Sequence, residues 1–156
     1  MLQRLVADGS LHALSGTAFA VTPALRESYA EGDDDELAAV ALSEAGLASL
    51  RLLAAEGADS GLPPRRVVLE AEVSEATPRP DLDDAVVRLA GPVTMADVVA
   101  AYVDNSAAEP AVLAAVAVID QADLGDEDAE LTVGDAQDND LAWYAVQELP
   151  FLLELL

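Results

Sequence analysis

The sequence predicts an α+β fold: one domain over residues 1–156, with a small, largely antiparallel sheet of three or four strands covered by helices. Residues 37–55 carry apolar side chains at three- and four-residue spacing, the period of a helix. Residues 67–73 and 85–90 alternate apolar with polar, the period of a strand with one wet face. A chain of 156 residues with 53% hydrophobic content can bury a core of ordinary size without dividing.

The elements follow in order. Leu2, Leu5 and Val6 share a helical face that stops at Asp8-Gly9. Thr17 to Thr22 is a short apolar strand, and Thr22-Pro23 reads as an N-cap followed by proline where a missing N–H costs nothing. Asp33 to Glu36 then place carboxylates at the positive end of a helix dipole, opening the helix from Leu37 to Ala55. The loop ADSGLPP ends it. Strands are predicted at Val67–Val73 and Ala85–Ala90, with Arg88 lying across from Glu70 or Glu72 if the two pair antiparallel. The polar, proline-containing connection at 74–84 is the candidate mobile loop.

Thr94-Met95-Ala96-Asp97 and Ser106-Ala107-Ala108-Glu109 both have the capping-box pattern and predict helical turns. Val98–Val103 is short and valine-rich and is read as a strand. Pro110–Ala122 is a helix with Leu113, Val116, Ala117 and Ile119 facing inward. Residues 123–140 form an acidic connection with one candidate strand, Glu130–Val133. A last helix is expected from Asp138, disturbed at Pro150.

Composition excludes several chemistries. With no cysteine there is no disulfide, thiolate metal site or thiol nucleophile. Neither GxGxxG nor GxxxxGK[ST] occurs, and the basic residues are all arginine, so phosphate loops of those types are absent. His12 is the only histidine and lies in a glycine-containing loop; no GxSxG elbow frames any serine. The acidic runs miss the register of an EF-hand. No catalytic, cofactor or metal residues are therefore assigned.

The balance of 30 acidic against 7 basic residues gives a formal charge of −23. Such a surface repels nucleic-acid phosphates and anionic lipid, so nucleic acid is not an expected partner. GC-rich codon usage combined with solubility, adaptation to high salt, and a functional negative surface all remain open as its origin. No window approaches the roughly eighteen uncharged apolar residues of a membrane span. The opening MLQRLVADGS lacks the basic start and apolar middle of a signal peptide. The expected setting is cytoplasmic, away from membranes.

Two surfaces are candidates for function. The closing stretch LAWYAVQELPFLLELL places the only tryptophan beside Tyr144, and on one helix the two rings cannot share a patch. Trp143, Tyr144, Gln147, Phe151, Leu152 and Leu155 are the candidate interface for a protein partner or a homo-oligomer. Core packing of both aromatics is the competing reading. Arg26 with Tyr29 is the candidate pocket for a small anion, against a role for Arg26, Arg65 and Arg66 as counter-charges to nearby carboxylates. The expected function is a non-catalytic protein-interaction domain. An enzyme or anion-binding module near Arg26 and Tyr29 is the alternative, and an acidic DNA mimic is the third.

From TAFAVTPALRESYAEGDDDELAAVAL to WYAVQELP, the order of segments resembles an uncharacterised family of acidic proteins from GC-rich actinobacteria, a domain of unknown function. Thr22-Pro23-Ala24-Leu25-Arg26, Val103-Asp104 and Trp143-Tyr144 with Gln147-Glu148 carry the resemblance, which covers most of the chain. Its members begin with a further short strand before the segment matching Leu2 to Leu11. The resemblance thus implies a start at an internal methionine, an open sheet edge and a bacterial cytoplasmic setting, and it brings no activity or catalytic residues.

Overall fold

The computed structural model describes residues 2–13, 16–29, 31–57 and 63–155. The fold is α+β, with small antiparallel sheets and helices. In order, the chain forms α1 (Leu2–Asp8), β1 (Ser10–Leu11), β2 (Thr17–Phe19), α2 (Pro23–Ser28) and α3 (Asp34–Glu56). Then come β3 (Val67–Ala71), β4 (Ala76–Pro78), β5 (Val86–Leu89), β6 (Val93–Thr94) and β7 (Val98–Val103). The last elements are α4 (Glu109–Asp123), α5 (Glu127–Gln137), β8 (Ala142–Ala145) and α6 (Leu149–Leu155). Among the described residues the strands form three small sheets in place of one, ordered β1-β6, β2-β5-β4 and β3-β7-β8.

Two compact units divide the chain, one from Met1–Ala45 with Glu70–Val99 and one from Gly46–Leu69 with Ala100–Leu156. In the first, Leu25, Leu37 and Ala85 are buried together, with Phe19, Val21 and Val40 packed against them. The cap of α2 is as expected: Thr22 is extended, and its side chain accepts a hydrogen bond from the Leu25 N–H at 3.1 Å. The same hydroxyl donates to the backbone carbonyl of Asp84, so one residue satisfies the helix start and ties it to the turn before β5. Thr22→Ala is expected to cost about 1 kcal/mol or somewhat more, read from urea unfolding, because both partners lose their bond.

The expected loop at 74–84 contains β4, which pairs antiparallel with β5 while β2 pairs with its other side. Arg88 therefore stands opposite Thr17 and Thr77, and not Glu70 or Glu72. Pro78 is tolerated because β4 is an edge strand at that point. The first capping box makes a turn and no helix: the Thr94 N–H donates to the Asp97 carboxylate at 3.0 Å, and β7 begins at the next residue.

In the second unit Leu50, Val112, Ala115, Ile119, Val133 and Ala136 form a core between the second half of α3 and the α4–α5 pair. Asp33 caps α3 through the Glu36 N–H at 2.8 Å. At 23 residues α3 is long and apolar enough to cross a membrane by length and composition, although Leu37, Ala41 and Leu50 are buried in protein and Glu44 and Arg51 interrupt it. Most of the loop expected after it, residues 58–62, lies outside the described residues. In α4 Ile119 is buried and Val116 packs against the core as expected, but Val112 and Ala115 take the inward places expected of Leu113 and Ala117, which are exposed.

Two further expectations are overturned. Glu130–Val133 is no strand but the middle of α5, which starts where Asp126 accepts from the Ala129 N–H at 2.9 Å and buries Ala129, Val133 and Ala136. With a helix ending at Gln137, the chain turns at Asp138 and the expected last helix becomes strand β8 and the short α6.

Arg51 links α3 to the end of α4, donating to Asp123 at 3.1 and 2.8 Å. The guanidinium holds the Asp123 carboxyl below its usual range. A carboxyl that is a stronger acid when folded adds stability above its unfolded pKa and loses it as pH falls through the folded value. Both side chains are nearly half exposed, so the contribution is at most about 0.5 kcal/mol after solvent screening. Asp123→Asn is thus expected to lower the urea midpoint slightly at neutral pH and not at all once the wild-type carboxyl is protonated.

Candidate functional site

β8 is the short segment Ala142-Trp143-Tyr144-Ala145, and its only partner among the described strands is β7. The register sets Trp143 opposite Tyr102 and Tyr144 opposite Ala101, so the two aromatics of β8 lie on opposite faces of the sheet. One face carries buried Ala101 and half-buried Tyr144 and the other buried Ala100 and half-buried Tyr102, so Trp143 is set apart by its own exposure. Trp143, at 59% exposure, remains largely in water. The indole is neither a core residue nor an accident of a loop, because the ladder fixes the backbone that carries it.

The outer edge of β8 can be read from hydrogen bonds. Asp104 N–H donates to the Arg66 carbonyl at 3.1 Å, so even-numbered residues of β7 point toward β3 and odd-numbered ones toward β8. Ala101 and Val103 therefore exchange bonds with Tyr144 and Ala142. Trp143 and Ala145 turn their backbone groups outward. The Ala145 N–H is covered by the Glu148 carboxylate at 2.9 Å, which blunts that part of the edge. Trp143 is left as the outward-facing residue within the strand.

The remaining interface candidates divide. Gln147 is exposed in the single 3-10 turn Val146–Glu148, and Phe151 on α6 is 68% exposed. Leu152 is buried, as is Leu149 one turn earlier, and it leaves the candidate interface: α6 places 149 and 152 on its inner face and Phe151 on the outer. The side chain of Leu155 lies outside the described residues.

Arg26 and Tyr29 are not brought together as an anion site. A cleft of about 380 Å³ is lined by Tyr29 and Ser28 with Leu25, Val40 and Ala85, but its charged lining is Glu44, Asp83 and Asp84, which repels an anion. Arg26 is not part of that lining. It pairs with Asp34 at 2.7 Å on the surface, the counter-charge role. His12 is exposed, and among the described residues no group of three or more acidic or histidine side chains is placed to hold a metal ion.

A family model described as a family of unknown function (DUF6912) matches residues 1–153. The chain belongs to that family. No curated protein and no solved structure matches it. In this DUF6912 chain the aromatic edge rests on a buried polar network that sequence reasoning noticed only as Val103-Asp104 and a counter-charge at Arg66. Arg66 Nε and Nη2 grip both oxygens of Asp104 at 2.9 and 2.7 Å, and Arg66 N–H donates to the same carboxylate at 2.7 Å. Nη1 donates to Gln137 Oε1 at 2.8 Å and Nη2 to the Asn139 carbonyl at 2.7 Å.

Both charged side chains are almost fully buried, and each charged end is answered by hydrogen bonds. Arg66 precedes β3, Asp104 follows β7 and Asn139 precedes β8, so the fork fixes one end of all three strands. Gly46 on α3 admits the network: a Cβ there would lie 3.2 Å from Gln137 Oε1. The neighbouring Arg65 pairs with Glu109 at 3.2 Å. Four of the five guanidinium N–H groups of Arg66 have partners within the fold, so the network serves to position β8.

Proposed function

We propose that this member of DUF6912 is a non-catalytic domain that acts by binding protein, with the edge strand β8 and Trp143 at the centre of the contact. The observation that carries the reading is the 59% exposure of a tryptophan held on a paired, edge-forming strand. Tryptophan is among the side chains that contribute most to protein interfaces, and leaving it in water has no stabilising role in the fold. Phe151 supplies a second exposed ring on the same closing segment. The absence of cysteine and the sequence resemblance support a cytoplasmic, actinobacterial setting.

The reading is tested with a photo-crosslinking residue at Phe151 in cells, with and without Trp143→Ala. Discrete protein adducts that disappear in the variant, while its unfolding midpoint stays within the error of the parent, are the expected outcome. Adducts that persist unchanged without Trp143 would overturn it, and so would a variant that loses several kcal/mol of stability, the mark of a core tryptophan.

A further inference from the structure

We infer that the partner seated on β8 is an extended, arginine- or lysine-bearing segment of another protein, and not a second copy of this chain; the inference rests on the protein-binding reading of the same edge. Three features of the edge point to a basic strand. Trp143 turns its N–H and carbonyl outward from β7, the backbone pattern that an added strand completes. Its side chain is 59% exposed, which leaves indole surface for a guanidinium or ammonium group to meet by cation–π attraction. Carboxylates bracket the strand: Asp138 and Asp140 are exposed just before it, and Glu148 is held at its outer edge by the bond to Ala145 N–H.

The charge of the whole molecule acts in the same direction. Each copy carries a formal charge of −23, and although carboxylates beyond roughly 10 Å of a contact are screened, the exposed Asp138, Asp140 and Glu148 beside β8 would face their counterparts on a second copy. The arginines that could offset it inside a symmetric pair are largely committed: Arg26, Arg51, Arg65, Arg66 and Arg79 each already meet a carboxylate of their own chain. A basic segment finds the opposite conditions, since its cations are drawn to the edge from a distance and then meet the ring and Glu148 at close range. Glu148 in this arrangement does two things. It blocks Ala145 N–H against an unspecific strand, and its free oxygen offers a partner to a cation of the correct strand.

The test uses the full chain and an acetylated, amidated heptapeptide alternating arginine with threonine, titrated by fluorescence anisotropy at low and at physiological salt. The expected result is binding that weakens with salt, falls about tenfold on Trp143→Ala, and falls several-fold with a shallower salt dependence on Glu148→Gln, which keeps the bond to Ala145 N–H while removing the charge. A peptide with glutamate in place of arginine should not bind. Equal affinity for the parent and Trp143→Ala would mean diffuse attraction to an acidic surface and would overturn both the inference and the reading it rests on. No peptide binding, with a concentration-dependent dimer lost on Trp143→Ala, would overturn the basic partner alone and leave β8 as an interface between copies.

Discussion

Asp104→Ala is expected to lower the unfolding free energy by about 3–5 kcal/mol, the cost of leaving a buried guanidinium without its carboxylate. Asp104 accepts three hydrogen bonds from Arg66, two from the side chain and one from the backbone, and none of these donors has water to replace it. Because the same guanidinium also holds the Asn139 carbonyl at 2.7 Å, the loss should spread to the entry of β8. Faster amide exchange at Trp143 and Tyr144 is expected at protein concentrations where the fold persists. The double substitution Arg66→Met with Asp104→Leu removes the buried charges together and should recover part of the lost stability, since an apolar pair of similar size avoids the desolvation cost. Urea unfolding of the two variants measures both statements, and a single variant within about 1 kcal/mol of the parent would show that the pair is not desolvated.

The second large effect separates neighbours on α6. Leu149→Ala should cost about 2–5 kcal/mol, because Leu149 is fully buried and its removal leaves a cavity. Phe151→Ala, two residues on, should cost less than about 1 kcal/mol, since that ring is mostly in water. The apolar ending LPFLLELL is thus two surfaces in one segment: 149 and 152 complete the core, and 151 is available to a partner. Comparable losses for both variants would place Phe151 in the core and remove it from the contact.

The parts of this fold that could be read from the sequence are those with a long period or a local chemical signal. α3 extends over 23 residues, α4 starts at a proline, and the Thr22-Pro23 cap needs only three residues to be recognised. The sequence hides α5 and β8 together. α5 is polar and contains Thr132 and Gly134, so its helical face consists only of Ala129, Val133 and Ala136, and that face is fixed by packing against α4 and not by local preference. Once 127–137 is taken as a connection, the four residues 142–145 are too few to show a period of two against a period near four.

The candidate site had the same character. Trp143 and Phe151 were visible as residue types, but their exposure depends on which face each element turns inward. Tyr102 lies opposite Trp143 only because β7 and β8 pair in one register. Arg66 and Asp104 are 38 residues apart, and no spacing rule joins them. The acid lining of the cleft beside Tyr29 is likewise tertiary, since Asp83 and Asp84 reach it from the turn before β5. Chemistry that depends on register and long-range contact is carried by the fold.

Trp143 is the only tryptophan, so its fluorescence, excited at the red edge where the three tyrosines do not absorb, reports on the proposed contact alone. Acrylamide quenching of the dilute protein, alone and with the arginine–threonine heptapeptide, tests the central claim most directly. Emission and quenching close to those of free tryptophan in water, shifting to shorter wavelength and becoming protected when the peptide is added, are the expected result. Emission already at short wavelength and shielded from acrylamide in the dilute, monomeric protein would place the indole in the core and contradict a partner surface on β8.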